Sequence, residues 1–277
     1  MRRFVAFASP HVNGCVTRCP IYRDRNSQCL TVTEDAVLGT ESRHRIVLAL
    51  IAGPAVVLIA WFVAPEPAEA ASAQPSVGQS AVQATVLTTV QGDGRRVALT
   101  FDDGPDPTST PMVLTLLARY DAVGTFCMIG TQVQANLALA RRVAAAGMRI
   151  CSHSRTHDLQ LGTRPVSRMT AEITDVGQRL PGITVRYFRA PGGNWTPTLQ
   201  AAAARNGLQP LGWSVDPQDW RRPGMSAIVT RVEQHVRPGS IILMHDGGGP
   251  RDQTVAALGQ LLPWLTAQGY GFAFPTP

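Results

Sequence analysis

From Asp93 onward the chain predicts an α/β fold built on a parallel sheet or barrel, and three observations lead there. Short apolar runs alternate with longer stretches of helical periodicity, the order that parallel strands and crossover helices require. Gly147, Gly207 and Gly269 stand where helix C-terminal caps fall due. The reactive side chains gather at the C-terminal ends of the apolar runs, the face on which barrels and open α/β sheets assemble their sites.

The first predicted strand, Arg96–Phe101, rests on Val97-Ala98-Leu99 and ends at Asp102-Asp103 and a Gly104-Pro105 turn. A helix over Pro111–Tyr120 leads to a second strand, Gly124–Ile129. Gln134–Ala146 carries the next helical period and Met148–Cys151 the next strand, which stops just before His153. Arg168–Leu180 is helical and leads to Val185–Arg189. The helix Pro197–Asn206 precedes a strand over Pro210–Val215, with Asp216, Asp219 and Trp220 beyond it. Ser226–Val236 is helical, Ser240–Met244 is a strand that meets His245-Asp246, and the helix Thr254–Gln268 runs into a terminal strand, Gly271–Phe274. Seven strands in roughly 185 residues are fewer than a full eight-stranded barrel uses.

The upstream part differs in composition. Ile46–Val63 is an uninterrupted apolar run apart from Gly53-Pro54, with Arg43-His44-Arg45 before it and a Pro/Ala/Glu segment after it. That order reads as a secretory signal or a marginal transmembrane anchor. A buried core helix fits less well, because the segment has no polar face. The flanking arginines keep its N-terminal side in the cytoplasm, so both readings export everything after it, and a signal would be cleaved after Ala70 or Ala73. If uncleaved, residues 46–63 would engage the membrane. Residues 1–45 are long for a signal's leading region and carry Cys15, Cys19 and Cys29 with no histidine at zinc-finger spacing. The expectation is that translation starts downstream, near Val37. Residues 64–92, rich in Ala, Ser, Gln and Pro, read as a flexible linker, which leaves 93–277 as a single catalytic domain. The net charge of +6 is carried by arginine alone, with no basic run or basic-aromatic stripe. Nucleic acid is therefore not an expected partner.

Two adjacent carboxylates at a strand end repel each other unless a cation or a raised pKa relieves them. His153-Ser154-Arg155-Thr156-His157 spaces two imidazoles four apart, so one helical turn would set both on one face. With Asp103 they form a two-histidine, one-carboxylate set suited to Zn2+ or another first-row divalent ion; Co2+, Mn2+ and Ni2+ suit the same donors. Zinc with an open position lowers the pKa of bound water from 15.7 to roughly 7. Asp102 is then placed as the base, Arg189 as the guanidinium that holds it ionised, and His245 as the acid. Asp219 is the first choice for the carboxylate behind His245, and Asp246 the second. This set points to metal-assisted hydrolysis of an amide or ester.

The blocks TFDDGP (100–105), HSRTH (153–157), RAPGG (189–193), DPQDW (216–220) and LMHD (243–246) follow one another as in the polysaccharide deacetylases, the NodB-homology proteins of carbohydrate esterase family 4, and the chain resembles that family over about residues 94–274. The resemblance implies a distorted (β/α)7-type barrel that removes acetyl groups from a sugar polymer. It implies Asp102 as base, Asp103, His153 and His157 as metal ligands, and Arg189, His245 and Asp219 as brace, acid and tuner. Trp220 and Leu243 would line the acetyl pocket, and the Gly192 N–H would meet the oxyanion. The family often has tyrosine at the position of Gly192, so an aromatic wall is missing here.

The leading functional expectation is an exported deacetylase of N-acetylglucosamine-containing glycan, peptidoglycan first. A chitin oligosaccharide deacetylase, an acetylxylan esterase and a non-enzymatic glycan-binding module follow. Cys127 and Cys151 fall on neighbouring predicted strands. Export makes a disulfide available to them, but a bridge two residues from His153 would strain a ligand-bearing strand, so buried free thiols are the expectation. His235, on a helical segment, is expected at the surface.

Overall fold

The computed structural model describes residues 82–92 and 94–276. The expected signal or anchor at 46–63, the extension at 1–45 and the first part of the linker lie outside them. No helix among the described residues is long and apolar enough to cross a membrane.

Strand β1 (Arg96–Asp102) is the centre of the sheet. Six of its seven residues are buried, as expected of a parallel strand covered on both faces. It pairs in parallel with β2 (Gly124–Met128), with β6 (Ile241–His245) and, at its first two residues, with β7 (Gly271–Phe272). From β2 the sheet continues through β3 (Arg149–Ser152) and β4 (Val185–Phe188) to β5 (Gln209–Pro210), giving the order β5-β4-β3-β2-β1-β6. Among the described residues seven helices, α1 (Ser109–Arg119), α2 (Gly130–Ala135), α3 (Leu137–Ala145), α4 (Val166–Arg179), α5 (Pro197–Arg205), α6 (Met225–His235) and α7 (Asp252–Ala267), connect the strands. Val97, Leu99, Phe101, Phe126, Ile242 and Met244 form the main core with the inner faces of α1 and α7. Gly147, Gly207 and Gly269 take φ of 79°, 74° and 77° one residue past the caps of α3, α5 and α7, as the sequence predicted.

The sheet curls toward a barrel but barely closes. The strand expected over Pro210–Val215 keeps regular pairing only at Gln209–Pro210. Farther on, the carbonyls of Leu211 and Gly212 accept hydrogen bonds from the Arg189 side chain instead of from a neighbouring strand. Val215 regains the sheet through a single parallel bridge to Ile242. The gap below is filled by residues assigned to the linker: Leu87 bridges Leu211, Thr89 bridges Ser240, and Val90 is buried. The folded unit therefore includes residues upstream of Asp93, because the open seam between β5 and β6 needs their backbone groups.

Two further expectations need correction. The helix predicted over Gln134–Ala146 starts earlier and breaks at Asn136, whose backbone leaves the helical region. The Asn136 side chain instead donates to the carbonyls of Pro105 and Gln132. Cys127 and Cys151 form a disulfide rather than two free thiols. They are directly paired residues of β2 and β3, with Cα atoms 4.2 Å apart, so the sheet itself brings the sulfurs together.

The bridge closes a loop with a sequence separation of 24 residues, for which chain entropy gives about 3 kcal/mol of stabilisation. The double variant Cys127→Ala/Cys151→Ala should lose stability on that scale in denaturant unfolding. Reductant should lower the melting temperature of the wild type but leave that of the double variant unchanged.

Candidate active site

The C-terminal ends of β1, β3, β4 and β6 and the segment after Val215 converge on one pocket of about 490 Å³. Asp102 is the last residue of β1 and is buried. Its Oδ1 accepts from Arg189 NH1 at 2.6 Å. Arg189, immediately beyond β4, is 0% exposed, and every nitrogen of its guanidinium donates a hydrogen bond. NH1 also donates to Thr100 Oγ1 (3.0 Å), NH2 to the Gly212 carbonyl (2.8 Å) and Nε to the Leu211 carbonyl (3.3 Å). Burial by itself would raise the Asp102 pKa. The charges of Arg189, His153 and His245, with the Arg189 hydrogen bond, outweigh it, and the carboxyl lies below its ordinary value.

Asp103 leaves the strand with a left-handed φ of 73°, a conformation aspartate tolerates better than most residues. Its N–H donates to the Cys127 carbonyl. Among the described residues Asp103 Oδ1 is buried without a hydrogen-bond partner and lies 3.6 Å from His153 Nε2 and 3.5 Å from His157 Nε2. One ligand atom from each of these three residues falls within 4.8 Å of the others. Nδ1 of His153 faces the Arg189 carbonyl at 2.9 Å and donates to it, which turns Nε2 toward Asp103. His157 has its pKa lowered, first by burial and then by the neighbouring His153, which favours its neutral form. An orphaned carboxylate oxygen facing the Nε2 atoms of two imidazoles is a donor set that fits a divalent cation.

The two histidines do not share a helical face. Residues 153–157 form a loop in which Ser154 and His157 have φ of 65° and 58°, and the rings meet edge to face at 4.9 Å. Ser154 Oγ accepts from the His157 N–H at 2.9 Å. Glu172, fully buried on α4, takes the N–H and hydroxyl of Thr156 at 2.9 and 3.0 Å. Sequence reasoning missed Glu172, whose only signal is a carboxylate on the buried side of a helical period.

Across the pocket, His245 ends β6. Its Nδ1 meets Asp219 Oδ1 at 2.8 Å, and Asp219 Oδ2 accepts from the His245 N–H and from Thr254 Oγ1. Burial would lower the His245 pKa, but the hydrogen bond and charge of Asp219, reinforced by Asp102 and Asp103, raise it above its ordinary value. Asp246, the second choice for this partner, points away from the ring. It is 0% exposed, accepts from Thr110 Oγ1, and is pushed up to about 7 by burial.

Leu243 and Trp220 both line the pocket, the first buried and the second 46% exposed under the Arg221 guanidinium. Gly192 lines it with φ 61°, and among the described residues its N–H donates to no other group in the turn, where Gly193, Asn194 and Trp195 use theirs. Three lining residues escaped the sequence reading: Trp213, Asn194, and Leu159, which is 53% exposed. Leu159 reaches within 3.0 Å of where a Gly192 Cβ would stand. His235 lies outside the site, exposed on α6.

The sequence profile described as polysaccharide deacetylase matches residues 89–211. A chitooligosaccharide deacetylase of Sinorhizobium fredii (strain NBRC 101917 / NGR234) is 44% identical over 187 residues, 63% of this chain and 87% of that protein. This chain belongs to the polysaccharide deacetylases of carbohydrate esterase family 4. A peptidoglycan-N-acetylglucosamine deacetylase of Bacillus cereus is 42% identical over 188 residues, 66% of this chain and 87% of that one. Among solved structures, a family 4 pseudoenzyme from Bacillus anthracis shares the fold with a TM-score of 0.64 and 25% identity, over 69% of this chain and 67% of that one. As a polysaccharide deacetylase the chain is a hydrolase of amide bonds in N-acetyl sugars. The pseudoenzyme shows that the fold alone does not secure activity, so the side chains of the pocket matter more than the scaffold.

Removing Arg189 strands a buried carboxylate, so Arg189→Ala should destabilise the protein by about 3–5 kcal/mol in denaturant unfolding. Arg189→Lys should recover little of that loss, since one ammonium cannot reach Asp102, Thr100 and two carbonyls in the fork geometry of a guanidinium.

Proposed function

We propose that this polysaccharide deacetylase is metal-dependent and removes the acetyl group from N-acetylglucosamine units of cell-wall glycan, with peptidoglycan as its substrate. One observation carries the reading: around a single pocket, an ionised Asp102 pinned by Arg189 stands beside the Asp103–His153–His157 donor set and faces a His245 backed by Asp219. The names of the two curated relatives support the sugar. The apolar run at 46–63 supports export and retention near the wall, and a disulfide suits an oxidising compartment. Chitin oligosaccharide is the second reading, favoured by the 44% identical relative.

Asp103, His153 and His157 would hold the ion, for which zinc fits the nitrogen and oxygen donors. When bound, it supplies Lewis acidity that polarises the acetyl carbonyl and acidifies water. The chain's own groups do the proton work. Arg189 occupies Asp102 Oδ1, which leaves Oδ2 to take the proton of the water that attacks the acetyl carbon. The Gly192 N–H is available to the developing oxyanion. His245, its Nδ1–H committed to Asp219, delivers the proton on Nε2 to the sugar nitrogen as the carbon–nitrogen bond breaks, so acetate and a free amine leave. Leu243 and Trp220 enclose the methyl group.

With zinc present, the full chain should release acetate from peptidoglycan. Asp102→Asn should lower turnover by about 10²–10⁴-fold while keeping its metal, as read by elemental analysis. A zinc-loaded protein that releases no acetate from peptidoglycan, chitin oligomers or acetylated xylan would sink the proposal, and release confined to chitin oligomers would move it to the second reading.

The pH profile follows from the two shifts. Activity rises as Asp102 ionises, at a pH lowered chiefly by Arg189 against the effect of burial. It falls as His245 loses its proton, at a pH raised by Asp219. Asp219→Asn removes the raising charge, so the alkaline limb of kcat should move to lower pH with the acid limb in place.

A further inference from the structure

Asp246 is a fully buried carboxylate that the proposed chemistry leaves unused. It does not line the pocket, and nor do Thr110, Gly104 or Gly248. We propose that Asp246 and its hydrogen-bond donor Thr110 are positioning residues that mould the Asp103 turn for the cation, an inference that rests on the metal-dependent reading above. Asp103 has to aim Oδ1 at two imidazoles from a left-handed backbone, and an unsupported turn would not stay there.

The support comes from the loop after β6, which clasps the turn from behind. The N–H groups of Asp246 and Gly247 both donate to the Asp102 carbonyl, at 3.0 and 3.2 Å. The Asp246 carboxylate lies flat against Gly104: a Cβ there would stand 2.5 Å from both of its oxygens. Gly247 leaves room for the Asp103 carbonyl, and a Cβ on Gly248 would stand 2.5 Å from Asp103 Oδ2. Arg251, itself buried, fixes this loop by donating to the carbonyls of Gly247 (2.6 Å) and Gly248 (3.2 Å).

Thr110 ties the loop to the other side of the turn. Its hydroxyl donates to Asp246 Oδ2 at 2.5 Å and accepts from the Asp106 N–H at 2.8 Å. The chain from Asp102 to Asp106 is thereby held at one end by the backbone N–H groups of Asp246 and Gly247 and at the other by the Thr110 hydroxyl, which the Asp246 carboxylate orients. Groups that orient a metal ligand without touching the metal typically change affinity by about 10–100-fold when removed.

The test is the zinc affinity of the full chain, measured by competition with a chromogenic chelator, beside the melting temperature of the metal-free protein. Thr110→Val and Asp246→Ala should each weaken zinc binding by about 10–100-fold. Asp246→Asn, which still offers Thr110 an acceptor, should bind zinc nearly as the wild type does. Saturating zinc should restore the kcat of Thr110→Val. A folded Thr110→Val protein with wild-type zinc affinity overturns the proposal, even if its melting temperature falls, because a purely structural role predicts that pattern. If Asp246→Ala does not fold, Thr110→Val alone decides. A wild-type chain that binds no zinc would overturn the metal reading along with this one, whereas indifferent variants of a zinc-binding wild type overturn this one alone.

Discussion

The arrangement of the site depends on one buried guanidinium. Arg189 has no access to water, so its charge and its donors must all be answered by protein. Asp102 answers the charge, and Thr100, Leu211 and Gly212 accept from the same guanidinium. Those partners lie on β1 and on the irregular chain after β5, so satisfying one side chain fixes the distance between opposite walls of the pocket. The backbone of the same residue does a second task, because its carbonyl takes the Nδ1–H of His153. Candidate base and candidate ligand are thus referenced to the same residue. The interruption of β5 follows from this too, since carbonyls given to Arg189 are withdrawn from the sheet.

The pocket also separates the protonation states of the proposed acid and base by environment. Asp102 and His245 are both buried, and burial alone would push each toward its neutral form. Each is instead held charged by a close partner of opposite sign, Arg189 for the carboxylate and Asp219 for the imidazole. The two groups also stabilise each other's charge across the pocket. A protonated acid and an ionised base can therefore coexist near neutral pH, the condition for a pair that works in concert. The bridge from Asp219 to Thr254 and to the His245 N–H keeps the acid's partner from turning away.

Much of this was readable in the sequence, and the parts that were not share a cause. Reactive residues at predicted strand ends were legible because strand periodicity and turn chemistry are local, and the parallel sheet gathers those ends without further information. The geometry of His153 and His157 was not, since a spacing of four suggested a helical turn. The loop is set instead by Glu172 on α4 and by left-handed residues, both of which depend on distant packing. The disulfide was misjudged for the same reason: the strain argument considered Cys151 along its own strand, whereas register with β2 places Cys127 directly opposite. Residues 85–90, Thr-Val-Leu-Thr-Thr-Val, end a longer stretch rich in Ala, Ser, Gln and Pro, and that wider composition is what marks 64–92 as a linker. Only the open seam of the sheet makes them structural.

The Asp-Asp-Gly-Pro turn shows how two different constraints can share one residue type. Gly104 is not in the left-handed region, so its lack of a side chain answers a need for space, which the Asp246 carboxylate occupies. Asp103, one residue earlier, is left-handed and keeps its side chain because that side chain is the candidate ligand. Exchanging the two residue types would ease the backbone at 103 yet remove the ligand and drive a carboxylate into Asp246. The order Asp-Gly is therefore dictated by the loop after β6 as much as by the turn itself. Gly247 and Gly248 meet the same demand from the other side, since both leave room for atoms of Asp103. Local turn propensity and long-range close packing thus select the same short sequence, which is why a motif this brief carries so much of the site.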